Sequence, residues 1–493
     1  VRLEVEQEGA VGVVDDELGH LVILRDTIRS MQIPRRLVWI DIVGLTPRLL
    51  EHAPRLRALA EAGSSGALEG VVPAVTCTAQ ATALTGLPPA GHGIVGNGWF
   101  HRDTGEVRFW LQSNALIQGE PVYLTARKRA MAKELPFTAA KLFGWFNQGA
   151  PVDQAVTPKP WYGCDGAKAF GIHGRPPGLT EELESALGPF PFPRFWGPGA
   201  GLESTQWIAA ATAHVLQHAR PTFTLAYLPH LDYDFQRFGP DMEGWADRVA
   251  ELDAAAGVVL DAAEAIGAEV VAFSEYGIQR VERAVLLNRL LRREGLLAVR
   301  DGPFGEGLDT YESFALAVCD HQIAHVYTAS ERVRDRVRDL LIGEPGIARV
   351  LAGEARGEVG LDHERAGDLV VLADSDSWFA YPYWLDDDRA PDFARTVDIH
   401  RKPGYDPLEL FVDPALRAPK VRIGRRLLQK KLGFRTRFDV VPLDTTLVKG
   451  SHGVPPAHPE DGPLLVASDP EAAARVRSLA DLKAHALERM GLE

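Results

Sequence analysis

The sequence predicts an α/β protein: a mainly parallel β-sheet sandwiched by helices, with inserted cap or loop regions. Three observations predict it. Short β-branched apolar runs without polar alternation, as in LVWIDIVG (37–44), TFTLAYL (222–228) and AEVVAF (268–273), read as strands buried on both faces. Helical stretches alternate with them, and WADRVAELDAAAGVVLDAAEAIG (245–267) leads straight into the third run. Finally, 493 residues that are 46% hydrophobic and 24% charged suffice for a large core with no covalent staples.

Taken in order, residues 1–35 read as an N-terminal extension, in which VGVV and LVIL suit a small hairpin or an edge addition. The α/β domain is expected over 36–493. LVWIDIVG opens it, and LLEHAPRLRALAEAG (49–63) follows at helical spacing with a closing glycine. TFTLAYLPHLD (222–232) repeats the theme of a strand running into an acid. GDLVVLAD (367–374) and GPLLVAS (462–468) read as further buried strands, and DPEAAARVRSLADLKAHALERMG (469–491) as a terminal helix capped by Asp469. Two stretches break the rhythm, about 120–205, crowded with Pro, Gly and aromatics, and 376–425, with DSWFAYPYWLDDDRAP and DIHRKPGYDP. Irregular insertions of that length act as lids or binding loops.

Charge and cysteine usage exclude several function classes. A formal net charge of -14 disfavours a nucleic-acid polymer as partner. An acidic protein still takes an anionic substrate where metal ions supply local positive charge. Cys77, Cys164 and Cys319 lie far apart with no CxxC pattern, which argues against a disulfide framework or a thiolate zinc site. No run reaches membrane-spanning length and the first 33 residues lack a signal pattern, so no membrane partner and a cytoplasmic location are expected.

The residues that carry chemistry stand at strand ends. Asp41, Asp232 and Glu275 each follow an apolar run, and LVKGSHGVPP supplies His452. Carboxylates and imidazoles gathered at one sheet edge are what divalent cations require, although a single strand-end acid is commonly a turn former or cap. In GVVPAVTCTAQATALTGLPPAGHGIVGNGWF (70–100), a threonine cluster opens a small-residue helix and a Gly-rich turn ends in Asn97. A helix N-terminus favours an alkoxide or a phosphate, while Thr76 or Thr78 could equally be an N-cap.

That segment resembles the nucleophile segment of the alkaline phosphatase superfamily, in its nucleotide pyrophosphatase/phosphodiesterase-like branch. Pro73, Thr76, Thr85-Gly86, His92-Gly93-Ile94 and Gly96-Asn97 fall in the branch's register. The resemblance implies Thr76 as nucleophile and Asn97 as a donor to a phosphoryl oxygen. IDIVGLTPRLL resembles the opening strand, implying Asp41 as a metal ligand, with two extra residues before Gly44. LDYDFQRFGP implies Asp232 and puts Gln236 where the branch has histidine. FSEYGI resembles the Ser-Asp-His-Gly segment, with Glu275 for Asp and Tyr276 for His, and KGSHGVPP implies His452 as the final ligand.

Two divalent cations are therefore implied. One would be held by Asp41, Thr76 and Glu275, with Tyr276 alongside, and the other by Asp232, His452 and Gln236. Zinc is the branch's expectation. The exchange of two imidazoles for an amide and a phenol, and of Asp for Glu, shifts it toward Mg²⁺, Mn²⁺ or Ca²⁺. His321 and His325 in CDHQIAHVY, which share a strand face if that run is extended, and His400 in VDIHRKPGYDP are further candidates, as are His230 and Asp234. His92 matches a structural position. Trp161, Tyr162, Trp196, Trp378, Tyr381 and Trp384 could stack on a ring of the ester or pack their own loops.

The expected function is metal-dependent hydrolysis of a small-molecule phosphate ester, in the manner of a phosphodiesterase or nucleotide pyrophosphatase. A phosphomonoesterase or phosphonate hydrolase is the alternative within enzymes. A non-catalytic binder of a phosphorylated ligand is the alternative outside them, favoured by Gln236 and Tyr276.

Overall fold

The computed structural model describes residues 33–493 apart from 165–167 and 435. The hairpin expected from VGVV and LVIL lies outside the described residues. At the centre stands an eight-stranded sheet in the spatial order Ser64–Ala67, Leu464–Ala467, Glu269–Phe273, Leu37–Ile42, Phe223–Leu228, Ala139–Leu142, Gln154–Pro158 and Ile172–Arg175. The five inner strands, from Glu269–Phe273 to Gln154–Pro158, run parallel; Leu464–Ala467 and Ile172–Arg175 are antiparallel to them, and the edge strand Ser64–Ala67, antiparallel to Leu464–Ala467, runs in their direction. The stretch at about 120–205 thus supplies three of the sheet's strands as well as irregular loops.

Leu37–Ile42 is buried along its whole length, as a β-branched strand with neighbours on both sides must be. Alternation sends Val38, Ile40 and Ile42 to one face, packed on helices Leu202–Ala219 and Trp245–Ala265, and Trp39 and Asp41 to the other. Trp39 meets Phe223 and Phe273 edge-on, with ring centroids 5.1 and 5.5 Å away. This second face is covered by Ala79, Ala83 and Leu84 of helix Thr76–Thr85 and by the C-terminal residues Leu482 and Ala486. Asp41 therefore points toward the Thr76 helix because it shares a strand face with Trp39.

Two expected helices are broken, each for a visible reason. The 49–63 stretch is a 3₁₀ turn, Pro47–His52, followed by Pro54–Ala62, because Pro54 cannot continue a helix and starts a new one at its N1 position. The terminal stretch divides into Ala472–Arg475 and Leu482–Met490, parted by Ser478, which forms a capping box with Asp481. Helix Trp245–Ala265 is continuous, as its pattern predicts.

GDLVVLAD does form a buried strand, Leu369–Ala373, but in a separate antiparallel sheet of order Ala315–Asp320, Ile323–Thr328, Leu369–Ala373, Ile347–Ala352. Its core is continuous with residues of the Asn97 hairpin, Gly98–His101 and Glu106–Phe109, so this sheet leans on the site from one side. Among the described residues no helix is long and apolar enough to cross a membrane.

Candidate functional site

The C-terminal ends of the inner parallel strands deliver the acids. Asp41 is the penultimate residue of its strand, Glu275 follows Glu269–Phe273 by two, and Asp232 lies in the first turn of helix His230–Phe238. All three are fully or almost fully buried, and so are Thr76, Asn97, Gln236, Tyr276, His321 and His452. Thr76 is the first residue of its helix, behind an N-cap, Val75, that has no side-chain cap. Thr78 instead donates to the carbonyl of Ile94 at 3.1 Å and serves structure.

Asn97 supplies the missing cap from another segment. Its Oδ1 accepts from the Cys77 amide at 2.9 Å, and Asp320 grips it twice, accepting from its backbone N–H at 2.7 Å and from Nδ2 at 3.1 Å. One Nδ2 hydrogen is left for a ligand at the helix N-terminus. A side chain on Gly96 would lie 3.1 Å from Asp320 Oδ2, so the glycine permits this close approach.

Thr76 Oγ lies 3.0 Å from the Tyr276 hydroxyl, and the Glu275 carboxyl borders Asp41, Gln80, Thr76 and Tyr276. Burial pushes the Tyr276 phenol well above its ordinary range, so it stays protonated, and either hydroxyl can donate to the other. Gln80 donates Nε2 to Glu275 Oε1 at 2.9 Å and accepts the Trp145 amide at 2.7 Å. Across the site, Gln236 donates to Asp232 Oδ2 and accepts from Tyr405, both at 2.8 Å. His452 gives its Nδ1 proton to the Ala74 carbonyl at 2.7 Å, which leaves a bare Nε2, 3.7 Å from Asp232 Oδ1.

Four rings form a column beside these groups. Tyr276 stacks on His452 with centroids 3.6 Å apart, His452 on His321 at 3.8 Å, and His321 on Tyr405 at 3.6 Å. The CDHQIAHVY run is a tight hairpin, with His321 in the turn at φ 61° and His325 on the next strand. The two histidines thus do not share a strand face. His321 turns to the site, its Nδ1 2.8 Å from Asp320 Oδ1, while His325 is bound to the Val95 carbonyl and the Gly367 amide. His400 reaches the Phe109 carbonyl at 3.3 Å, His230 faces Glu251, Asp234 pairs with Arg237, and His92 bonds Thr82. None of these four joins the strand-end cluster.

Of the aromatics singled out in the sequence, Trp196 borders the site, 6.0 Å from Tyr405. Trp110 does so too, also 6.0 Å from Tyr405, and it stacks against Trp145. Trp378, Tyr381 and Trp384 are core residues, and Trp161 and Tyr162 are exposed. The 376–425 stretch reaches the site through Tyr405. Sequence reasoning passed over Gln80, Asp320 and Tyr405 as site residues, since each gains its meaning only from a partner in another segment.

Within the strand-end cluster five buried polar atoms have no hydrogen-bond partner: both oxygens of Asp41, Glu275 Oε2, Asp232 Oδ1 and His452 Nε2. No Lys or Arg forms an ion pair with these carboxyls, among the described residues. The oxygens of Asp41, Thr76 and Glu275 make a donor set of the type a hard divalent cation takes. Asp232 and His452 lack a third donor because Gln236 spends its carbonyl on Tyr405. Correspondingly, no group of three or more His, Cys, Asp or Glu side chains converges on one point, among the described residues.

Burial also sets the protonation. It raises Asp232 and Glu275 to about 7, and Asp41 well above the usual carboxylate range, where the Glu275 charge adds to the effect. Carboxyls raised in the folded state stabilise it below their unfolded value near pH 4, and that stability is lost as pH rises through about 7. The thermal midpoint of metal-free protein should therefore fall between about pH 5 and pH 7.5, and Mg²⁺ or Mn²⁺ should restore more of it at the higher pH. Scanning calorimetry checks this; equal shifts at both pH values would count against cation binding by these carboxyls.

A family model described as type I phosphodiesterase / nucleotide pyrophosphatase matches residues 37–406. No curated protein sequence matches. Among solved structures, phosphonoacetate hydrolase from Sinorhizobium meliloti bound to phosphonoformate is similar at 15% identity, over 93% of this chain and 96% of that one, with a TM-score of 0.58. An inactive form of murine ectonucleotide pyrophosphatase / phosphodiesterase 5 in complex with AMP follows at 14% identity, 93% and 96% coverage and a TM-score of 0.55. The human counterpart aligns at 13% identity over the same shares, with a TM-score of 0.56. The sheet and its flanking helices are those of the alkaline phosphatase-like fold these neighbours share. From the strand-end acids, the threonine at a helix N-terminus and the match over 37–406, the chain belongs to the type I phosphodiesterase / nucleotide pyrophosphatase family of phosphoric ester hydrolases.

Proposed function

We propose that the protein hydrolyses a small phosphate ester, a phosphodiester or nucleotide pyrophosphate first and a phosphomonoester or phosphonate second, with Thr76 as nucleophile. The observation that carries this reading is the placement of Thr76 Oγ at a helix N-terminus capped only by Asn97, beside the unpartnered carboxyl oxygens of Asp41 and Glu275. Thr76 would attack phosphorus while its proton passes to the Glu275 carboxylate it borders, and the P–O bond to the leaving group breaks. The hydrogen bond to Tyr276 holds the threonine oxygen in line, and Asn97 donates its remaining Nδ2 hydrogen to a non-bridging oxygen. Water then attacks the phosphothreonine and releases the product.

The family is typically divalent-metal dependent. Asp41, Thr76 and Glu275 would hold one cation, which when bound supplies Lewis-acid polarisation and lowers the pKa of the threonine hydroxyl. A second, at Asp232 and His452, requires Gln236 to release Tyr405 and turn its carbonyl toward Asp232. An oxygen-rich set favours Mg²⁺, Mn²⁺ or Ca²⁺ over Zn²⁺.

Hydrolysis of p-nitrophenyl phosphate and bis-p-nitrophenyl phosphate across Mg²⁺, Mn²⁺, Ca²⁺ and Zn²⁺ tests the reading. A higher kcat/KM on the diester with an oxygen-preferring cation is expected. The engaged hydrogen bonds of Gln236 and Tyr276 favour a second reading, a binder without turnover, and activity on neither substrate with any cation would select it. Asn97→Ala should lower kcat roughly 10²- to 10³-fold through the lost donor. It should also cost about 1 kcal/mol of stability through the lost cap on Cys77. Steady-state rates and thermal midpoints on the same preparation separate the two effects.

A further inference from the structure

Away from the candidate site, a cleft of about 410 Å³ opens between helix Leu287–Arg293 and the turn at Glu344 and Pro345. Three arginines are among the residues that line it. Arg289 and Arg293 stand four apart on one helix face, and Arg283 comes from the adjoining strand Arg283–Val285. Neither Arg283 nor Arg293 forms an ion pair among the described residues, unlike Arg292 next to them, which pairs with Glu306. Arg289 spends one nitrogen on Asp387 at 2.7 Å, while its Nε is buried with no partner. Glu344 is the single carboxylate lining the cleft. With Arg289 matched by Asp387, the free guanidiniums outnumber it.

Like charges lining one cleft repel, and a buried N–H without an acceptor is costly. Both costs are relieved by an anion with several acceptor oxygens in fork geometry, which is what a phosphoryl group offers to arginine. The cleft's size suits a small molecule, and Leu290 and Pro345 give it an apolar wall.

We propose that this cleft is a second ligand site, which takes the phosphoryl dianion of inorganic phosphate or of a small organic phosphate. It does not overlap the candidate active site. The strand carrying Arg283 pairs with Ser377–Phe379, and the Phe379 amide donates to the His321 carbonyl at 2.7 Å. The cleft thus lies at the far side of a two-stranded ribbon whose other edge touches the site.

Calorimetric titration of the full chain with inorganic phosphate and with phenylphosphonate, which has no ester bond to hydrolyse, tests the proposal. The R283Q/R293Q double variant should bind the tighter of the two at least about tenfold more weakly. Its turnover of bis-p-nitrophenyl phosphate should equal that of the parent, which also shows that the variant is folded. Tighter binding of phenylphosphonate assigns the site to an organic phosphate, and tighter binding of inorganic phosphate assigns it to the free ion. Parent and double variant giving the same isotherm, or no binding to the parent beyond what survives in the variant, overturns the proposal.

Discussion

Thr76→Ala is expected to lower kcat roughly 10⁴- to 10⁶-fold, the scale seen when a hydrolase loses its attacking oxygen. The fold should survive. Thr76 caps nothing with its side chain, and alanine is the better helix former at the start of Thr76–Thr85. The main structural loss is the partner of the Tyr276 hydroxyl, worth about 1 kcal/mol, which water entering the vacated space can replace. Thr76→Ser keeps the oxygen and loses only the methyl group that limits χ1. It should therefore retain activity within about tenfold of the parent. Initial rates on bis-p-nitrophenyl phosphate, with thermal midpoints as the folding control, decide the matter. An alanine variant within tenfold of the parent would remove Thr76 from the nucleophile role and leave Glu275 or bound water as the attacking group.

The strands that place Thr76 and Asp41 were legible because continuous apolar runs have one reading in an α/β chain: LVWIDI, FTLAYL, EVVAF and LLVA all lie in the central sheet. The same pattern reads LVVLA correctly as a buried strand but leaves its sheet open, since periodicity reports burial and not the partner strand, and that run pairs in the second sheet. Ala139–Leu142 was illegible for the opposite reason. It is short and carries Lys141, whose ammonium is buried against the Phe146 carbonyl. In the site, the acids could be read because strand ends converge whatever the loops do. The hydrogen-bonding set could not. Gln80, Asp320 and Tyr405 act through partners in other segments, and His321 takes a left-handed turn conformation that an apolar-flanked histidine gives no sign of.

Lys402→Met should cost about 3–5 kcal/mol, the scale for breaking a buried charge pair by removing one partner. Lys402 Nζ sits 2.7 Å from both Asp406 Oδ2 and Glu409 Oε1, and all three groups are buried. Burial already raises Glu409, so the cluster tolerates its two carboxyls only because the ammonium lies between them. The remaining acceptors are spent on structure. Trp196 Nε1 donates to Glu409 Oε2 at 2.6 Å, and Asp406 caps the turn at Leu408. With methionine in place, two carboxyls face each other without a cation, and the deficit should shrink as pH falls and protons neutralise them. Glu409→Gln in the same chain removes one of the stranded charges and keeps an acceptor for Trp196, so the double variant should recover part of the loss. The cluster also anchors the segment that seats Tyr405 against His321 and Gln236, so the single variant should lose activity along with stability, more in kcat than in KM. Urea denaturation of the four members of the cycle at two pH values checks the energetics. A Lys402→Met protein as stable as the parent at neutral pH would mean that the ammonium does not stabilise the two carboxyls and that the lysine is not what holds Tyr405 in place.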